Sequence, residues 1–162
     1  MSNGLKIKDG KINFACRRDL CGHSCCGPFS GITSNIESID RRPFEEIVLT
    51  EEDYQQLYDR GRADLIETGF STEMQKSYYK LALHPDGTCK AFVNGRCTIH
   101  EFSPTLCKAF PFYFDMFSGL CAICCDGVSD EHWTDIAMYA PYFEAAKKMY
   151  QYWLEFYTRE DQ

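Results

Sequence analysis

Residues 89–107 read CKAFVNGRCTIHEFSPTLC, and this stretch holds three of the ten cysteines of the chain. Asn94-Gly95 at its centre predicts a type I′ turn, because both central residues of that turn require a positive φ. β-leaning runs lie on either side of the turn. We therefore expect Cys89 and Cys97 to flank a tight antiparallel hairpin.

Downstream of this hairpin the sequence predicts mainly helix. Ser103-Pro104-Thr105 is typical of a helix start with proline at the first helical position, which puts Cys107 on a short helix. Residues 112–121 suit a second hairpin. Over residues 129–158 apolar side chains recur at helical spacing, and Pro141 predicts a kink or a break. We assign the aromatic stripe of this stretch to the core: Ile136, Tyr139, Phe143, Tyr150, Trp153 and Tyr157.

Upstream, residues 5–14 alternate apolar and polar side chains about Asp9-Gly10, which predicts an N-terminal hairpin. Residues 47–49 suit a short strand. Thr50 is followed by three acidic residues, a pattern typical of a helix N-cap, so we predict a helix over residues 51–67. Its buried side is predicted to contain Tyr54, Leu57, Tyr58 and Leu65.

These elements predict an α+β fold, in which a small antiparallel β-meander is combined with helices and irregular metal-binding cysteine loops. The strands of the meander are the runs at residues 78–83, 89–93 and 96–99. We expect the whole chain, residues 1–162, to form one domain. Its motif core covers about residues 14–127, and the C-terminal helical stretch follows.

Composition narrows the class of protein. The 162 residues carry 24 acidic and 17 basic side chains, a net charge of -7, and the basic residues are scattered. Nucleic-acid binding is therefore not expected. The sequence lacks both a secretory leader pattern and a run of roughly 18 apolar residues, so we expect no membrane association and a cytoplasmic location.

Ten cysteines in a cytoplasmic chain point to metal binding or catalysis, because a reducing compartment keeps disulfides rare. The first cysteine group is Cys16, Cys21, Cys25 and Cys26. Thiolates packed this closely repel one another unless a cation shares their charge. Two alternatives stay open, namely small buried hydrophobic cysteines and, in an exported protein, a disulfide network.

Six further cysteines are spread over the second half of the chain. This second cysteine group is Cys89, Cys97, Cys107, Cys121, Cys124 and Cys125. Its members fall near the ends of predicted elements, a placement that can bring ligands together from three of them. One site with several spare thiols is also compatible with this distribution.

Several short motifs occur in a fixed order along residues 14–127: Phe14-Ala15-Cys16, Cys21-Gly22, Cys25-Cys26, Gly87-Thr88-Cys89, Gly95-Arg96-Cys97 and Phe110-Pro111. Their order and spacing resemble the zinc- or iron-chelating cysteine-cluster family (YkgJ-like, the CxxCxxCC family). The resemblance implies that the ligands are the first cysteine group with Cys89, Cys97 and Cys107, and one of Cys121, Cys124 or Cys125. One branch of the family is similar to flagellin lysine methylases.

The identity of the metal depends on how the cysteines are spaced. Structural zinc prefers two C-x2-C pairs, and this chain has one, Cys121 and Cys124. Adjacent pairs such as Cys25-Cys26 suit a larger cluster better, because neighbouring side chains diverge. An iron–sulfur cluster of the 4Fe-4S type is therefore the expected cofactor, and Zn²⁺ is the alternative.

The sequence thus predicts a metal-binding protein with an electron-transfer, metal-handling or structural role. One alternative is a cluster-dependent enzyme that modifies a protein or peptide, for example by methyl transfer. Another is an interaction module held together by zinc, with a protein partner. His84, His100 and His132 are predicted to be structural or surface residues, whereas His23 lies inside the first cysteine group.

Overall fold

The computed structural model describes residues 4–15, 46–117, 119–122 and 127–158. The strands in these ranges are β1 (Ile7–Lys8), β2 (Lys11–Ile12), β3 (Val48–Leu49), β4 (Ile66–Ser71), β5 (Lys76–Leu81), β6 (Phe92–Val93), β7 (Arg96–Cys97), β8 (Phe112–Asp115), β9 (Gly119–Ala122) and β10 (Thr134–Asp135). The helices are α1 (Glu51–Asp59), α2 (Thr105–Ala109) and α3 (Ala140–Thr158). Helices and antiparallel sheets occur together, which confirms the α+β class.

The strands form small sheets with the orders β1-β2-β10 and β3-β5-β4 and the two hairpins β6-β7 and β8-β9. Two turns explain why the hairpins form where the sequence predicts them. Asp9 and Gly10 have φ values of 52° and 74°, and Asn94 and Gly95 have 51° and 76°. Asparagine, aspartate and glycine adopt this left-handed conformation most readily. Both predicted turns are therefore confirmed.

Helix α1 starts where predicted and ends early. Thr50 Oγ1 accepts the N–H of Asp53, and the Asp53 carboxylate accepts the N–H of Thr50, both at 3.1 Å. The helix stops at Asp59 because Gly61, with φ 73°, turns the chain away. The predicted extension to residue 67 is wrong, and Tyr58, predicted to be buried, is 57% exposed.

The chain after α1 forms a strand that the sequence analysis missed. β4 pairs with β5 over six positions, from Ile66 opposite Leu81 to Ser71 opposite Lys76. The runs at 78–83 and 89–93 were predicted to be neighbouring strands of one meander. Among the described residues they pair only through an isolated β-bridge between Leu83 and Cys89. The antiparallel strands are thus divided among separate small sheets.

The C-terminal helix begins later than its apolar period suggested. β10 pairs with β2, and Ile136–Tyr139 forms a 3₁₀ turn before α3 begins at Ala140. Pro141 lies in the first turn of α3, where its missing N–H removes no helical hydrogen bond. Of the two predicted alternatives, a kink or a break, the break corresponds to the change from the 3₁₀ turn to α3 at Ala140. None of the described helices is long and apolar enough to cross a membrane.

Two hydrophobic clusters fill the interior. The first core contains Ile47, Leu49, Leu57, Leu65, Leu81, Cys89, Ala91, Ile99, Leu106 and Met149. The second core contains Leu5, Ile12, Phe14, Ala109, Phe112, Ala122, Tyr139, Ala145 and Ala146. Both α2 and α3 supply residues to each core, so these two helices join them. Trp153 packs against the first core, as predicted for the aromatic stripe, whereas Tyr157 of the same stripe is exposed.

Candidate metal centre

The chain immediately before the first cysteine group is hydrogen-bonded to the chain that follows the second. Ala15 N–H donates to the carbonyl of Gly127 at 2.9 Å, and Phe14 forms an antiparallel bridge with Val128. A Cβ on Gly127 would lie 2.6 Å from the Ala15 carbonyl oxygen, so this approach requires glycine. We call this pairing the 15–127 junction.

Buried polar groups fix the position of this junction. Asn13 is 1% exposed, and its Nδ2 donates to the Gly4 carbonyl at 2.8 Å and to Asp130 Oδ1 at 3.0 Å. Lys6 Nζ donates to the other Asp130 oxygen at 2.7 Å. Hydrogen bonds from Lys6 and Asn13 lower the pKa of the Asp130 carboxyl below its usual value. The segments on both sides of the junction are thus held by paired polar groups.

Cys89 and Cys97 lie at the base of the β6-β7 hairpin, next to the first core. Cys89 is 3% exposed, and its Sγ accepts the N–H of Ala91 at 3.4 Å. The Ala91 carbonyl in turn accepts both the N–H and the hydroxyl of Thr98, at 2.8 and 2.7 Å. These bonds hold the two cysteine-bearing ends of the hairpin in place. Cys97 packs against the first core from its edge.

Cys107 is positioned by a buried carboxylate on another helix. Asp53, 5% exposed, accepts the N–H of Thr105 at 3.1 Å and its hydroxyl at 2.9 Å. The same carboxylate accepts the N–H of Thr50. One side chain therefore binds the N-terminal ends of α1 and α2, and α2 carries Cys107 to the edge of the first core.

Cys121 occupies a different environment, on β9 opposite Tyr113. Ala122 belongs to the second core, and Leu120 packs against it. Because successive side chains of a strand point to opposite faces, Cys121 between them points to the other face of the hairpin. It is fully buried. Burial raises the pKa of the Cys121 thiol, and the Asp115 carboxylate raises it further. The thiol form is consequently favoured at this position.

The structure thus brings Cys89, Cys97 and Cys107 to the first core and places Cys121 on the β8-β9 hairpin. These four cysteines form no disulfide with one another. The remaining predicted ligands lie outside the described residues: Cys16, Cys21, Cys25, Cys26, Cys124 and Cys125. Among the described side chains, no group of three or more Cys, His, Asp or Glu residues is arranged to hold a metal ion.

Two groups that build this region were not found by sequence analysis. The contact between Asp53 and Thr105 joins residues 52 positions apart, and no local pattern indicates it. Asn13 is polar and lies between two apolar residues, Ile12 and Phe14. This pattern was the one sequence signal that could have indicated a buried side chain with hydrogen-bond partners. The described histidines, His84, His100 and His132, are exposed, as their predicted surface role requires, and His23 lies outside the described residues.

Comparison with known proteins does not assign the chain to a family. No family model matches the chain, and no curated protein and no solved structure is significantly similar to it. The resemblance to the cysteine-cluster family therefore stays a prediction.

Proposed function

We propose that this chain is a metal-binding protein whose two cysteine groups together hold an iron–sulfur cluster, with an electron-transfer, metal-handling or structural role. The observation that carries the proposal is the 15–127 junction. The sequence runs from Ala15 directly into Cys16, and Cys125 stands two residues before Gly127. The junction therefore brings together the two points of the chain from which Cys16 of the first group and Cys125 of the second are one and two residues away in sequence.

The described cysteines supply a second argument. Cys89, Cys97 and Cys107 come from two elements that meet at the first core, and a backbone N–H already points at the sulfur of Cys89. Hydrogen bonds of this kind stabilise metal-bound thiolates and tune a cluster. These cysteines do not complete a ligand set among themselves. A closed site accordingly needs sulfur from the first cysteine group or from Cys124 and Cys125.

The choice of cofactor follows from ligand chemistry. All-thiolate ligation suits both a 4Fe-4S cluster and zinc. Adjacent cysteine pairs favour the cluster, since two neighbouring side chains rarely reach one tetrahedral ion. When bound, the cluster would supply one-electron redox chemistry. The residues of the chain would contribute thiolate ligands, the Ala91 N–H donor and an apolar wall that limits access of water.

A substitution at the junction tests the proposal without altering a ligand. Gly127→Ala places a methyl group against the Ala15 carbonyl, so we expect the junction to open and the metal content per chain to fall. Gly61→Ala is the matched control. Gly61 ends α1 with a positive φ, and nothing lies within 4 Å of its Cβ position, so a methyl group there meets no neighbouring chain.

Metal content is measured by elemental analysis of both variants after purification without oxygen. The proposal expects loss of metal in Gly127→Ala and full metal in Gly61→Ala, with similar circular dichroism. Full metal content in a folded Gly127→Ala protein would show that the junction does not assemble the site. Stoichiometric zinc without sulfide in the parent protein would replace the cluster with a zinc site.

A further inference from the structure

Four aromatic side chains of α1, β4 and β5 form a surface in which Tyr54 is half-buried and the other three are exposed. We call it the tyrosine face: Tyr54, Tyr58, Phe70 and Tyr79. The Tyr54 ring stacks on Tyr79 with centroids 4.2 Å apart and on Tyr58 at 6.1 Å. Thr68 is directly opposite Tyr79, so Phe70, two residues further along β4, lies on the same side of the sheet. Tyr58 is 57%, Phe70 50% and Tyr79 37% exposed.

Acidic side chains border this face. Helix α1 reads EEDYQQLYD and contains no basic residue. Glu51 shares one side of the helix with Tyr54 and Tyr58, because the three residues are spaced i, i+3 and i+7. Glu52 and Asp59 are exposed on the adjoining stripe, where they line a shallow depression. Three exposed carboxylates thus lie beside the aromatic surface, and Arg60, which lines the same depression, is the one basic residue described there.

Among the described residues, the basic side chains near this face contact other groups as well. Lys76 and Lys80 lie on the opposite face of β5 from Tyr79. Lys76 Nζ donates to the backbone carbonyl of Phe156 near the end of α3, and Lys80 Nζ donates to the Glu46 carboxylate before β3. Just after the C-terminal end of α1, the Arg60 guanidinium lies over the Phe102 ring, with its Cζ 4.4 Å from the ring centroid. Arg62 forms an ion pair with Asp64. Arg60 offsets part of the charge of Glu52 and Asp59, whose depression it lines, and the α1 carboxylates remain in excess beside the tyrosine face.

We propose that the tyrosine face binds a basic peptide segment, rich in lysine and arginine, of a partner protein. Exposed aromatic rings attract ammonium and guanidinium groups. The α1 carboxylates add an attraction that salt screens. A neutral or acidic segment gains neither contribution. The inference is independent of metal binding, because it uses no cysteine.

Fluorescence anisotropy with two labelled synthetic peptides tests this surface. One peptide alternates lysine, glycine and arginine, and in the other every basic residue is replaced by glutamate. We expect saturable binding of the basic peptide alone, weakened by added NaCl. Tyr58→Ala should raise Kd about fivefold through loss of a cation–π contact. Glu52→Gln with Asp59→Asn should also raise Kd and reduce its salt dependence.

Phe117→Ser is the matched control, since Phe117 is 93% exposed on the β8-β9 hairpin and lies outside the tyrosine face. Its Kd should equal that of the parent. Phe70→Ser replaces Tyr58→Ala if the latter misfolds by circular dichroism. Equal binding of the acidic peptide, or an unchanged Kd in the folded aromatic variants, would overturn the proposal. A dimer that Tyr58→Ala dissociates would overturn it as well, because a second copy would then cover the face.

Discussion

The Asp53 carboxylate connects α1 and α2 by accepting three hydrogen bonds from Thr50 and Thr105. Substituting Asp53 measures how much these hydrogen bonds contribute to the stability of the fold. Asp53→Asn keeps the size of the side chain but turns an amide N–H towards the donors of Thr50 and Thr105. Leaving buried donors without an acceptor costs about 1–3 kcal/mol. We expect the free energy of unfolding, measured by urea denaturation, to fall by that amount.

Asp59→Asn on the same helix is the control for this change. Asp59 is exposed and accepts a hydrogen bond from Gln55 on the same helix. Its substitution should change the free energy of unfolding by less than about 0.5 kcal/mol. If the two variants unfolded at the same urea concentration, the Asp53 contact would not hold α2 in place.

Cys121 should ionise later than an ordinary cysteine. Burial and then the Asp115 carboxylate raise its pKa, so the thiol is favoured in the folded state. The stability that this preference contributes is complete below the pKa of an unfolded cysteine and is lost as pH rises through the raised value. Alkylation of Cys121 by iodoacetamide in chelator-treated protein, followed by peptide mass spectrometry, should therefore require a higher pH than in unfolded protein.

Asp115→Asn separates the two causes of this shift. Removing the carboxylate should move the alkylation profile of Cys121 part of the way towards lower pH, because burial remains. A Cys121 that reacts at the same pH in folded and unfolded protein would contradict the assigned environment.

At the scale of elements, the β4-β5 hairpin depends on one close contact. The Tyr78 ring lies over Gly69, its cross-strand partner, and a Cβ there would be 2.4 Å from the ring. The ring cannot easily move, because Tyr78 is buried and its hydroxyl donates to Glu46 at 2.7 Å. Gly69→Ala should lower the free energy of unfolding by about 1–3 kcal/mol.

Thr68→Ala serves as the control, since Thr68 is exposed on the same strand. Thermal unfolding followed by circular dichroism compares the two variants. Equal midpoints would mean that the ring gives way without loss of packing.

Elements with a local cause could be predicted, and those with a distant cause could not. Asp9-Gly10, Asn94-Gly95 and Thr50 each fix a turn or a helix start through a conformation or a cap within four residues. The existence of β4 depends instead on pairing with β5. The late start of α3 has the same kind of cause, because β10 pairs with β2. The end of α1 is an exception, because it has a local cause, Gly61, that the sequence analysis missed.

At the scale of the whole molecule, metal binding and folding should be coupled. Cys107→Ser removes a predicted ligand from α2, so we expect a lower metal content and a lower Tm, since metal-binding free energy contributes to folding. His132→Ala changes an exposed residue outside both cores and should alter neither. Full metal content and an unchanged Tm in Cys107→Ser would remove Cys107 from the site.

The candidate site could be proposed from its residue types, and the contacts around it could not be predicted from the sequence. Cysteine spacing indicated metal chemistry, whereas the 15–127 junction joins segments more than a hundred residues apart through backbone hydrogen bonds. Backbone pairing at such a distance leaves no pattern in a single sequence beyond Gly127, whose missing side chain allows the approach. The raised pKa of Cys121 could not be predicted from the sequence, because it depends on burial and on Asp115.

The most direct test of a cysteine-held cluster is the analysis of the parent protein purified without oxygen, for iron, zinc and acid-labile sulfide, together with its visible absorption spectrum. The account predicts a brown protein that contains iron and sulfide and loses its colour in air. A colourless protein with stoichiometric zinc and no sulfide would contradict the cluster. A folded protein with neither metal would contradict metal binding itself.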